Sequence, residues 1–117
     1  MLKSIAFTLY PVSDLARARK FYEETLGLKL GMNFQDQWIE YDLGGGTFAI
    51  TAMDIGHKPG LKGATVAFET DNYDETIAKL KAAQVNFTME TYETPVCHFA
   101  AITDPDGNEM MIHKRKS

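Results

Sequence analysis

"VSDLARARKFYEETLGLKL", residues 12–30, decides the architecture. Ser13 or Asp14 can cap a first helical turn, and Leu15, Ala18, Tyr22 and Leu26 share one face. Gly27 is placed to end the helix in a left-handed cap. The stretch before it, "LKSIAFTLYPV" (2–12), is rich in β-formers and stops at Pro11, which cannot donate to a ladder. Three strands are predicted after the helix, over roughly 28–35, 37–43 and 46–53, with "LGGGTF" (43–48) as the turn between the last two.

"DIGHKPGLKG" (54–63) has no hydrophobic period and reads as a linker. The pattern then returns. "ATVAFET" (64–70) alternates like a strand, and "NYDETIAKLKAA" (72–83) predicts a helix with Asn72 and Glu75 in capping-box positions. Tyr73, Ile77 and Leu80 form its inward face, and strands around 86–92, 95–103 and 108–114 complete the chain. Strand, helix, strands thus occurs twice, offset by about sixty residues, with Phe7 against Thr65 and Leu15 against Tyr73.

At 117 residues and 44% apolar composition, one domain spanning 1–117 is expected, with modules near 1–53 and 64–114. Leu2 to Tyr10 is too short to span a bilayer, and no other stretch nears twenty apolar residues, so no membrane association is expected. The single cysteine, Cys97, excludes an internal disulfide and fits a reducing compartment, giving a cytoplasmic expectation. A net charge of −4 argues against nucleic-acid binding, which rests on neutralising phosphates. The basic end, "HKRK" (113–116), reads as a solvated tail after the last strand.

Two motifs, "VSDLARARKFYEETLGLKL" (12–30) and "DPDGNEMMI" (104–112), stand about ninety residues apart. Together they resemble the vicinal-oxygen-chelate superfamily, which holds glyoxalase I, extradiol dioxygenases, fosfomycin-resistance enzymes and bleomycin-resistance proteins. The resemblance implies an α+β fold of two βαβββ modules, each sheet curling into a half-open cup with its helix outside. It also implies a homodimer, since many members build their sites from both chains. Enzymes of the superfamily hold a divalent metal through side chains of the first and last strand of each module, usually histidine or glutamate. That metal chelates two neighbouring substrate oxygens and stabilises the developing oxyanion.

Carried across one at a time, those positions fall at Phe7, Thr51, Thr65 and Met111. None is a histidine, cysteine or carboxylate, and a shift of one residue on any strand supplies none. No metal or other cofactor is therefore expected. Alternation adds Glu109 and His113 to the face of Met111, Ala67 and Glu69 to that of Thr65, and Thr47, Ala49 and Met53 to that of Thr51. The third strand is expected to send Trp38 and Glu40 inward, and the seventh Cys97 and Phe99, leaving His98 outward.

The candidate ligand-binding residues are therefore Phe7, Trp38, Glu40, Thr51, Thr65, Glu69, Phe99, Met111 and His113. Aromatic rings with a few carboxylates suit a flat or cationic organic molecule. Phe7 and Met111 would serve equally as packing, and Glu69 as a solvated carboxylate. Cys97 beside His98 is no nucleophile pair, because neighbouring strand residues face opposite ways. Three functions remain open: a metal-independent small-molecule binder like the bleomycin-resistance branch, a glyoxalase-like lyase or dioxygenase with a relocated metal or metal-free acid–base chemistry, and a structural dimer with a filled cup.

Overall fold

In the computed structural model, residues 5–55, 58–60 and 65–116 are described. The opening of the expected first strand, residues 56–57 and 61–63 of the expected linker, and residue 64 at the start of the next expected strand lie outside them. The chain divides into two compact units, Met1–Leu61 and Lys62–Ser117.

The first unit holds β1 (Thr8–Pro11), α1 (Leu15–Arg19), β2 (Leu30–Phe34), β3 (Trp38–Asp42) and β4 (Thr47–Thr51). Its sheet runs β1-β4-β3-β2, with β1 parallel to β4 and the other pairs antiparallel. Pro11 is tolerated because it closes an edge strand, and the Val12 amide takes over by donating to the Thr51 carbonyl at 2.9 Å. Asp14 is the N-cap, its carboxylate accepting from the Arg17 amide at 3.1 Å.

The predicted helix over 13–27 is only half α-helical. After Arg19 it widens into a π-helical segment, Lys20–Thr25, in which the Leu26 amide donates to the Phe21 carbonyl. Phe21 and Tyr22, both within this segment, are buried in the core. Tyr22 meets Phe48 at 5.2 Å and Tyr41 at 6.1 Å between ring centroids, fixing the helix against the sheet. Gly27 then takes φ +72°, the left-handed cap the sequence called for.

The second unit repeats the order with β5 (Val66–Glu69), α2 (Tyr73–Ala82), β6 (Phe87–Glu93), β7 (Cys97–Thr103) and β8 (Glu109–Arg115). Its sheet runs β5-β8-β7-β6, with β5 parallel to β8. Tyr73, Ile77 and Leu80 are buried, as are Ala100, Ile102, Met110 and Ile112 on the facing side of β7 and β8. The turn before β8 is locked by Asp104, whose carboxylate accepts from the amides of Asp106 and Asn108 and from the Asn108 side chain, at 2.8–2.9 Å.

Two local expectations fail. The capping box at Asn72 and Glu75 does not form: Asn72 sits at the N-cap with ψ 74°, and its side chain makes no cap hydrogen bond. The Thr70 hydroxyl organises the corner instead, accepting from the Asn72 amide at 3.3 Å and bonding the Thr76 hydroxyl at 2.9 Å. Nor is "HKRK" a solvated tail. His113, Lys114 and Arg115 pair with Phe99, His98 and Cys97, and the Lys116 amide donates to the Val96 carbonyl.

Candidate functional site

In each unit one sheet face is covered by a helix, and the candidate residues lie on the other. In the first unit, the helix-side rows contain Tyr10, Ile50 and Ile39, then Phe48 and Tyr41. The opposite face carries a row of Pro11, Thr51, Trp38 and Phe34 and a row of Leu9, Ala49, Glu40 and Met32. Phe7 meets Trp38 edge to face, with centroids 5.4 Å apart and planes at 86°. The Trp38 indole N–H donates to Glu40 at 2.9 Å, a bond between residues two apart on one strand face. No cationic side chain among the described residues pairs with Glu40. Ala49, directly opposite, adds almost no bulk beside it.

Thr51 has a different setting from its neighbours. It is 0% exposed, and its hydroxyl donates to the Gln37 carbonyl at 2.6 Å while accepting from the Met53 amide at 3.1 Å. Both its donor and its acceptor capacity are engaged, tying the turn before β3 to the chain just beyond β4.

In the second unit one row crosses all four strands: Glu69, His113, Phe99 and Tyr92. Glu69 accepts from His113 Nδ1 at 2.5 Å through one oxygen and from the Arg115 amide at 2.7 Å through the other. The Arg115 amide, followed by the His113 ring, holds the Glu69 carboxyl below the usual carboxylate range. Phe99 and Tyr92 lie 5.7 Å apart as a tilted pair. Met111 stands one row away, opposite Ala67 and Ala101, and Thr65 is exposed just before β5. His98 lies on the helix side, 5.8 Å from the Tyr73 ring, so it is separated from Cys97 as alternation requires. Cys97 is buried, its sulfur 3.2 Å from the Thr94 hydroxyl.

The registers set Thr51 apart from Met111. In the second unit Met111 pairs with Ala67, two residues before Glu69; in the first, the matching residue of β4 is Ala49, which pairs with Leu9, two before Pro11. Thr51 matches His113 instead. The positions carried over from the resemblance are Phe7, Thr51, Thr65 and Met111, and Ala49 is the register match of Met111. A phenyl ring, a methyl group, a hydroxyl and a thioether do not fit a divalent metal that prefers imidazole or carboxylate. Among the described residues no three of His, Cys, Asp and Glu come together as a metal-binding group.

Phe34 and Tyr92, 55% and 58% exposed, extend the two open faces and were missed in the sequence. The signal for Phe34 was the hairpin at Gln35 and Asp36, both at φ 53°, which pairs Phe34 with Trp38. Without the usual Asn-Gly or Asp-Gly it is easily overlooked. Tyr92 gave no such signal, because β6 shifts register on both sides of Met89 and alternation breaks down.

Two βαβββ units with donor-poor open faces define a glyoxalase-like fold. The match to the family model described as Glyoxalase/Bleomycin resistance protein/Dioxygenase superfamily covers residues 4–112, and the chain belongs to that superfamily. No curated protein matches the chain. Among solved structures, TnmS3, an antibiotic binding protein from Streptomyces sp. CB03234, shares 26% identity over 98% of both chains with a TM-score of 0.84. A glyoxalase/bleomycin resistance protein from the same Streptomyces shares 29% identity over 93% of this chain and 98% of its own, at TM-score 0.77. The fold is also that of a lactoylglutathione lyase from Agrobacterium tumefaciens, 20% identical over 97% and 94% of the chains, at TM-score 0.74. No helix among the described residues is long and apolar enough to cross a membrane.

Proposed function

We propose that this protein binds a small, flat or cationic organic molecule on its open sheet faces without using a metal. The observation that carries the reading is the group formed by Phe7, Trp38 and Glu40. Two rings at right angles offer a π face and an edge, and the carboxylate between Trp38 and Met32 supplies negative charge. Glu69, Phe99, Met111 and His113 offer a second, more polar surface, with Thr65 at its margin. Thr51 contributes by holding the backbone beside Trp38. The likeness to TnmS3, described as an antibiotic binding protein, supports sequestration of a ligand over its conversion.

Trp38 is the only tryptophan, so its fluorescence reports this site directly. Titration with N-methylacridinium is expected to quench it saturably at one site per chain, and Glu40→Gln to weaken binding by about three- to tenfold, the range of a charge-assisted contact. Chelator treatment is expected to leave the titration unchanged, and calorimetry with manganese, nickel and zinc to show no binding. Unsaturable quenching overturns the binder; tight one-to-one metal binding replaces it with an enzyme built on a relocated centre.

We also propose that two copies associate. The open faces leave Met32, Phe34, Met89 and Tyr92 substantially exposed, an apolar surface that association covers.

A further inference from the structure

We infer that His113 is the residue that selects ligands bearing a hydroxyl, by accepting a hydrogen bond at Nε2 on the open face of the second unit. The inference rests on the binding reading above and gives its ligand a chemical class: a flat aromatic carrying a phenolic or enolic O–H.

Glu69 sets the state of the imidazole. Its carboxylate is ionised at neutral pH and can only accept, so the Nδ1 at 2.5 Å must carry the proton. In the neutral imidazole that leaves the lone pair on Nε2. The tautomer is therefore set by the carboxylate, and the carboxylate is itself fixed by the Arg115 amide on its second oxygen. Among the described residues nothing pairs with Nε2, while the side chain is 24% exposed. An acceptor held in one orientation on a partly exposed side chain is arranged to meet a donor.

The neighbours say what kind of donor. Phe99 is directly opposite His113 in the antiparallel register, and Tyr92 lies beside Phe99. A planar ring resting on Phe99 and Tyr92 would bring a substituent at its edge to His113. Glu69 is a positioning residue here, acting only through the imidazole.

The test uses 1-naphthol and 1-methoxynaphthalene, which share the ring and its oxygen while the ether carries a methyl group in place of the donating hydrogen, titrated into the full chain and followed by NMR at pH 7.5. The wild type is expected to bind the naphthol about fivefold more tightly, the range of one hydrogen bond. His113→Phe should bind both alike, whereas His113→Gln, whose amide oxygen can fall near the Nε2 position, should restore the preference. Glu69→Gln should lose it, because the amide can donate to Nδ1 and turn Nε2 into a donor, an effect that a merely structural role would not produce. Circular dichroism confirms that each variant is folded. Equal binding by the wild type, or a preference that survives His113→Phe, overturns the inference while the Trp38 titration still stands. Failure of both naphthalenes to bind overturns it too, and only a simultaneous loss of the Trp38 response removes the binder itself.

Discussion

Glu23 shows how one carboxylate can join a helix to a sheet. It accepts from Arg19 Nε at 2.7 Å and from the Tyr41 hydroxyl at 2.9 Å. The Arg19 hydrogen bond, helped by Tyr41 and opposed by burial, lowers its pKa; burial pushes the Tyr41 hydroxyl well up. A carboxyl whose folded pKa lies below its unfolded value near 4.3 stabilises the fold above that value and loses the contribution as pH falls through the folded one. Glu23→Gln is therefore expected to cost about 1–2 kcal/mol at pH 7 and to flatten the acid side of the stability profile, read from urea unfolding between pH 3 and pH 7. An unchanged acid limb would mean that the bridge contributes nothing. Thr51 makes the complementary point: a hydroxyl on the right face is not thereby available, since a carbonyl and an amide already engage it.

At the scale of elements, most of the architecture was legible because its punctuation is local. Gly27 at φ +72° has no heavy atom within 4 Å of where a Cβ would stand, so its requirement is purely conformational. Gly27→Ala should destabilise by about 1 kcal/mol. Gly45, equally open but without a positive φ, should accept alanine at no cost or with a gain of about 0.5 kcal/mol. Thermal unfolding of the two variants checks both, and equal effects would contradict the cap argument. The π-helical segment was not legible, since only the sheet residues facing Phe21 and Tyr22 make its cost worthwhile. The register shifts in β6 hid Tyr92 for a similar reason. Alternation predicts faces only while the ladder is regular.

At the scale of the molecule, the repeat was the most informative pattern. Alternation from Thr65 and Met111 put Glu69 and His113 on one face from sequence alone, yet their hydrogen bond needed the parallel register of β5 and β8. Thr51, placed at the end of the fourth strand, stands two residues from the register match of Met111, because a position within a strand has no check until strands are paired. The proposed pairing of two chains is expected to give light scattering at twice the 13.1 kDa chain mass at micromolar concentration. A monomer throughout would remove it.

The closure of each sheet, first strand against last, bears on how the chain comes into being. Among the described residues every strand pairing lies inside its own half. During synthesis the leading sheet can be completed as soon as Thr47–Thr51 emerges from the ribosome, before any trailing strand exists. A nascent chain stalled some thirty residues past Thr51 should therefore already resist proteolysis over its first half.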